Sequence, residues 1–329
     1  MLSYRAILKQ AWRISWKNRF LWFFGFFASI ISFTAEFKVI AQAFNQESGI
    51  KSLNNLQMFL STGVFSKDAW ANILGLFKTD PKSIIFLLVV LLIVLGLIAF
   101  FAWLSTSSQV GIIDAINRII KGKKEKLNIK IGLKKGTKKF WPVFFMNLLI
   151  SIIINVIYLL ISFLLILVII KNQSLSTVLY GVIFLVFIPI SLFLSFMIKY
   201  AIAYIVIENK PFFQAIKHGW RLFVQNWLIS IEMTIVLFFI NIIAILLISI
   251  ISFIGFFLLF GLALSSMLIL SSGFLFWLIL ALGALFLLIV MILGGALLNT
   301  FQIASWTDLF IQLRNKGGES KLERMFQEN

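Results

Sequence analysis

The residues able to do chemistry are few. The chain of 329 residues holds one histidine, His218, twelve Asp and Glu, and no cysteine. Without cysteine there are no disulfides, thiolate zinc sites, iron-sulfur clusters or thiol nucleophiles. His218 stands between Lys217 and Gly219, a setting that suits a polar interfacial side chain better than a ligand or base. No paired carboxylates, histidine cluster or activated nucleophile is visible, so the reading is a protein with no enzymatic activity, no cofactor and no metal.

What remains is polar groups set within apolar runs. Lys199 and Glu232 are the charges that lie well inside such runs. Lys199 is nine residues before Glu208 and Glu232 five after Trp227, depths of about 13 Å and 8 Å at 1.5 Å per helical residue. Ionisable groups in a span face protein and pair, so these two are a candidate intramembrane ion pair; separate snorkelling to the interface is the alternative. Asn147, Ser151 and Asn155 recur every fourth residue, extended by Tyr158 and Ser162, and Ser191, Ser195 and Lys199 repeat that spacing after Pro189. Such stripes either bond across helices or line a small polar cavity.

The elements that must carry these groups follow from composition. Hydrophobic residues make up 61% of the chain and charged residues 12%, against about 25% charge in a soluble domain, so the chain is an all-α polytopic integral membrane protein. Apolar runs occur at Phe20 to Phe33, Ser83 to Ser108, Pro142 to Ile170 and Val178 to Ile207. From Leu228 to Leu298 only Glu232 is charged; two long spans, Leu228 to Phe256 and Phe274 to Gln302, fit the lengths of their neighbours. The segment 257–273 is then a helix extension and turn or a re-entrant hairpin, and a three-span path is the competing topology.

Six spans put both termini on one side. The segments on that side, Met1 to Arg19, Gln109 to Trp141, Glu208 to Asn226 and Ile303 to Asn329, carry 5, 10, 3 and 4 Lys and Arg, against 5 and 1 in the loops Lys38 to Lys82 and Lys171 to Thr177. Cations gather inside, so both termini are expected in the cytoplasm and the location is a plasma membrane. The net charge of +17 therefore points to anionic headgroups rather than nucleic acid.

A short pattern recurs before three of the spans. Lys9-Gln10-Ala11-Trp12-Arg13, Lys134-Lys135-Gly136-Thr137-Lys138 and Lys217-His218-Gly219-Trp220-Arg221 share a cation, any residue, a small residue, Trp or Thr, and a cation. Asn18 and Asn226 each follow the Trp by six. A weaker echo links Gln109-Val110-Gly111 and Asp114 with Gln302-Ile303-Ala304 and Asp308. The reading is three parallel units at 1–108 (with outer loop 38–82), 109–206 and 207–302, followed by a tail at 303–329. Each unit opens with an amphipathic helix lying on the cytoplasmic leaflet, with Tyr4, Ile7, Leu8, Ala11 and Ile14 as the apolar face of the first. Arg5, Lys9, Arg13, Lys17, Lys134, Lys138, Lys217 and Arg221 are the candidate contacts to anionic lipid.

The stretch Glu208-Asn209-Lys210-Pro211 through Ala215-Ile216-Lys217 to Trp220-Arg221-Leu222 joins an acid that ends a span, a proline turn, and a basic helix leading into the next span. It resembles the membrane domain of bacterial glycerophosphodiester phosphodiesterases and of related multispan proteins of uncharacterised role. The likeness covers about residues 80–315 and implies a membrane fold in a bacterial inner membrane. In those enzymes catalysis resides in a separate soluble barrel with acidic metal ligands and histidines, which finds no counterpart in Ile303 to Asn329, so the resemblance carries over no catalytic residue.

The function these features support is organising or sensing of lipid, with membrane lipids and a membrane-protein partner as the expected contacts. A small-solute transporter or channel, built on the polar stripes, is the alternative. A reporter fused after Asn329 is expected to give a cytoplasmic signal in intact cells; a signal from the far side would mean that 228–298 crosses three times.

Overall fold

The computed structural model describes residues 4–32, 81–122, 128–169, 190, 193–271 and 273–316. They form helices α1 (Tyr4–Lys17), α2 (Phe20–Ser32), α3 (Pro81–Ile120), α4 (Ile129–Lys138), α5 (Phe140–Ile169), α6 (193–208), α7 (Phe212–Gln225), α8 (Trp227–Leu270) and α9 (Gly273–Lys316). Four of these are long and apolar enough to cross a membrane, over Ile85–Ile120, Phe140–Ile157, Trp227–Ile269 and Gly273–Asn315. The chain is thus an all-α, multi-span membrane protein. Helix α2 is apolar but shorter, and residues 178–189 of the expected fourth span, the loop 38–80 and the tail 317–329 lie outside the described residues.

The helix limits have local causes. Pro81 opens α3 and Pro142 sits in the first turn of α5, positions where the missing N–H of proline is no loss. Asn128 caps α4, its Oδ1 accepting from the Ile129 amide at 2.7 Å. Helix α8 runs unbroken to Leu270 and is closed by Ser271 in the left-handed conformation, whose amide donates to the Ser266 carbonyl. Segment 257–273 is therefore helix and turn rather than a re-entrant hairpin. Continuing the helix satisfies each backbone group internally, which apolar surroundings demand. The two long helices interlock: Phe286 fills the space beside Gly255, and Ile248 that beside Gly294.

The described chain divides into two units. One comprises Met1–Ser32, Ser105–Phe144 and Phe196–Asn329; the other Phe33–Leu104 and Phe145–Ser195. In the second, the apolar side chains of α3 from Ile85 to Leu95 are exposed, as lipid-facing residues are. The first holds the core, with Ile7, Phe24, Ile112, Ile116, Phe196, Tyr200, Phe223 and Phe310 all buried.

Three short helices organise that core, and each buries a small residue, Ala11, Gly136 or Gly219. Helix α1 packs on α9, burying Ile7, Ala11 and Ile14, with the Trp12 ring edge-on to Phe301 at 6.1 Å. A methyl group at Gly136 of α4 would overlap the Ser107 carbonyl oxygen of α3. At Gly219 of α7 it would lie 2.8 Å from the Ala201 nitrogen and 2.9 Å from the Met197 oxygen of α6. Each short helix therefore rests on a neighbouring helix: α1 on α9, α4 on α3 and α7 on α6. This corrects one expectation: the apolar face of α1 lies on protein instead of on lipid, because α9 packs against it, with Phe301 beside Trp12. The faces left exposed carry Arg5, Lys9, Trp12, Arg13, Trp16 and Lys17 on α1, Lys134 and Lys138 on α4, and Lys217, Trp220 and Arg221 on α7.

The turns out of α1 and α7 use one device. The Asn18 side-chain amide donates to the Ile14 carbonyl at 2.9 Å, and that of Asn226 to the Leu222 carbonyl at 3.0 Å. At Asn226 the side chain takes a carbonyl that the helix end leaves open, since the Asn226 amide itself turns to the Phe223 carbonyl, whereas at Asn18 the side chain and the backbone amide share the Ile14 carbonyl. Helix α4 ends at Lys139, whose amide donates to the carbonyls of Gly136 and Thr137. Next to it, α2 enters between other elements: Gly25 lies against Ala296 and Thr300 of α9, and the Phe24 ring takes the space that side chains at Gly132 and Gly111 would need. Asn299 donates to the Gly25 carbonyl at 2.6 Å.

These contacts predict that Gly136→Ala and Gly219→Ala each destabilise the protein by about 1 to 3 kcal/mol, the usual cost of overpacking. Gly261, beside which no atom lies within 4 Å, should accept alanine neutrally or with a gain of up to about 1 kcal/mol. Thermal unfolding in detergent distinguishes the two classes, and equal effects at Gly136 and Gly261 would contradict the close approach.

Candidate functional site

The site grows from the end of α6. A helix end leaves carbonyls without partners, and here Lys139, at the α4 to α5 break, supplies them. Its Nζ donates to the carbonyls of Ile205 at 2.9 Å and Val206 at 2.8 Å, and to Asn209 Oδ1. Burial lowers the Lys139 pKa below the ordinary lysine value, with Asp114 opposing and Lys135 reinforcing that shift. Asn209 then takes a left-handed conformation, φ 57°, and the Lys210 amide returns to the Tyr204 carbonyl at 3.3 Å. Pro211 precedes α7, which folds back along α6 through Gly219.

That reversal gathers a polar group at one end of the first unit. The His218 ring lies over Tyr204 with centroids 5.4 Å apart, and Lys210 Nζ is 3.0 Å from His218 Nε2 and 5.6 Å from the Tyr204 ring centre. An ammonium has no acceptor, so Lys210 donates and the Nε2 of His218 accepts. From the end of α9, Arg314 Nε comes within 2.5 Å of Glu208 Oε1, and Lys210 Nζ lies 3.7 Å from Glu208 Oε2. Glu208 Oε1 nonetheless makes no aligned hydrogen bond. The ion contact is close but poorly directed, without the parallel fork of a well-formed arginine–carboxylate pair.

A cavity of about 530 Å³ opens here, lined by Tyr204, His218, Arg221, Gln225, Leu313 and Arg314 among others. Two cations, Lys210 and Arg314, meet one carboxylate, Glu208, and a third cation, Arg221, lines the cavity. The arrangement suits capture of an anion. Among the described residues no group of three or more His, Asp or Glu is placed to hold a metal ion.

The other residues singled out from sequence are dispersed. Glu232 accepts a hydrogen bond from the Tyr4 hydroxyl, joining the start of α1 to α8. Lys199 holds its ammonium 4.4 Å above the Trp306 ring and 6.0 Å from Phe196, a cation–π setting. Ser151 and Asn155 are exposed on α5, and the Asn155 amide donates to the Ser151 carbonyl at 2.6 Å within the same helix. Asn147 is half-buried, Ser195 is buried, and Ser191 lies outside the described residues. All eight candidate lipid contacts are exposed, and one of them, Arg221, also lines the cavity. Arg314 and Tyr204 were not marked by any motif, and Lys139 only as the last of the basic residues before α5. Their roles come from chain reversal, which a one-dimensional pattern does not encode; the one available signal was the lone acid Glu208 beside a proline turn.

No family model, curated protein or solved structure matches this chain.

The Tyr4 to Glu232 contact carries its own test. A hydrogen bond to a charged group contributes about 1.5 to 3 kcal/mol, so Tyr4→Phe and Glu232→Leu, each of which removes the bond, should each lower stability by about that much, and the double variant by little more than either alone. Strictly additive losses in thermal unfolding would show that the two side chains act independently.

Proposed function

We propose that this chain is a non-enzymatic bacterial inner-membrane protein that organises or senses anionic lipid at the cytoplasmic face. Its spans fall into three parallel two-helix units, each preceded by a short amphipathic helix, with both termini in the cytoplasm. The observation that carries this reading is the shared placement of the recurring motif. Ala11, Gly136 and Gly219 are buried while the residue after each (Trp12, Thr137 or Trp220) and the flanking cations are exposed. Trp12 and Trp16 stack at 5.6 Å with Arg5, Lys9 and Arg13 on the same exposed side. Indole rings settle at headgroup level and cations beside them meet the anionic leaflet, each for about 1 kcal/mol. Phe213, 82% exposed on α7, adds an apolar side chain at the same rim.

The short helices are held by protein on one side, so their exposed faces are set in place before lipid arrives. Little ordering entropy is then lost when headgroups bind, which favours affinity. The polar stripes give the transporter alternative weaker support, since Ser151 and Asn155 are exposed on α5 and Asn155 is satisfied by its own helix.

Native mass spectrometry of protein extracted from mixed neutral and anionic bilayers tests the reading. Anionic lipid should be retained over neutral lipid, and replacing Arg5, Lys9, Arg13, Lys134, Lys138 and Lys217 by Gln should weaken retention about fivefold per cation, less in high salt. Equal retention of neutral lipid, or no effect of the six replacements, would contradict it.

A further inference from the structure

We infer that the cavity lined by Tyr204, His218, Arg221 and Arg314 is a discrete phosphate-binding site, separate from the general rim, in which Glu208 competes with the ligand for Arg314. The ligand chemistry is a phosphate mono- or diester, carried either on a lipid headgroup or on a small water-soluble molecule. The inference does not rest on the lipid-organising role. Arg221 is shared with the rim, but Arg314 and Glu208 belong to no rim motif, and the site would hold a phosphate whether or not the exposed faces of α1 and α4 meet lipid.

Four observations carry it. Two guanidinium groups, Arg221 from α7 and Arg314 from α9, line one cavity although 93 residues separate them in sequence. Planar guanidinium groups match phosphate oxygens through two parallel N–H donors, which a lysine does not reproduce. The volume of about 530 Å³ falls within the range of about 300 to 1,000 Å³ usual for small-ligand sites, so it admits a phosphate together with the group that carries it. Finally, the acid already present fits badly. Glu208 is largely buried, with its side chain 11% exposed, and approaches Arg314 to 2.5 Å, yet its Oε1 makes no aligned hydrogen bond. A buried carboxylate left in that state costs free energy.

The geometry provides an exchange. Glu208 lies 3.7 Å from Lys210 as well, so a small turn of the carboxylate toward Lys210 releases the Arg314 guanidinium without leaving the acid unpaired. A tetrahedral phosphate then accepts from Arg314 and Arg221 together. His218, whose Nε2 is engaged by Lys210, has Nδ1 left to donate, and the Gln225 side chain lines the same wall. Affinity is set by how strongly the ligand outcompetes Glu208, which makes the acid a brake on binding.

That brake gives substitutions of opposite sign. Thermal unfolding of the purified full chain in neutral detergent would be followed with sodium phosphate or glycerol phosphate in one arm, and with short-chain phosphatidic acid doped into the micelles in the other. Sodium chloride of equal ionic strength is the reference. A ligand that binds the folded state raises the midpoint with RT ln(1 + [L]/Kd). A saturable rise beyond chloride in the first arm assigns the source as a soluble phosphate, and a rise in the second arm alone as a headgroup; either supports the site. Arg314→Gln should weaken the apparent Kd about tenfold, Arg221→Gln similarly, and Glu208→Gln should tighten it about fivefold. If Arg314→Gln does not fold, Glu208→Gln and Arg221→Gln decide the matter. No shift beyond chloride in either arm, unchanged binding in the arginine variants, or weaker binding in Glu208→Gln would overturn the inference.

Discussion

Helix backbones approach one another in this protein at residues that have almost no side chain, and the packed end of the molecule depends on that approach. Ala11, Gly136 and Gly219 sit where a short amphipathic helix packs on a neighbouring helix. Close backbone approach gains dispersion contacts along both helices, and it matters most where apolar packing alone gives little, because spans and lipid are equally apolar. The core accordingly gathers around these contacts, in Ile7, Ile112, Ile116, Phe196 and Phe223. The long helices beyond it expose most of their apolar side chains.

The same contact decides what the short helices show to their surroundings. At 3.6 residues per turn, the residues one and two places after a buried position are rotated by about 100° and 200° from it. With Ala11 or Gly219 turned inward, Trp12 and Arg13, or Trp220 and Arg221, are carried to the outer face. A packing requirement thereby fixes an interfacial surface of indole rings and cations. It also fixes the cavity, since the fold-back of α7 on α6 through Gly219 is what brings His218 over Tyr204 and Arg221 towards Arg314.

Much of the architecture was legible as run lengths. Uninterrupted apolar stretches at Ser83 to Ser108 and from Leu228 onward correspond to α3, α8 and α9, since hydropathy over 20 or more residues is a strong signal. The recurring Lys-x-small motif marked the three short helices, and Asn18 and Asn226 marked the turns that follow two of them. The role of the apolar face of α1 was not legible: Ile7, Ala11 and Ile14 have the same periodicity whether they lie on lipid or on α9. The site was less legible still. Glu208 meets Arg314, and Tyr4 meets Glu232, only after the chain has crossed and returned, and a lone charge among apolar residues does not say which distant charge it will meet.

The central claim is that the first helix closes the packed layer by resting on the last. The absence of native cysteine allows a direct measurement: oxidative or short maleimide cross-linking in membranes of a chain carrying Trp12→Cys and Phe301→Cys, residues whose rings touch at 6.1 Å, with the joined peptides identified by mass spectrometry. The account predicts an intramolecular cross-link for this pair and none for Trp12→Cys with Gly261→Cys, which lies far along α8. Failure of the first pair to join while each cysteine reacts singly, or equal joining of both pairs, would contradict it.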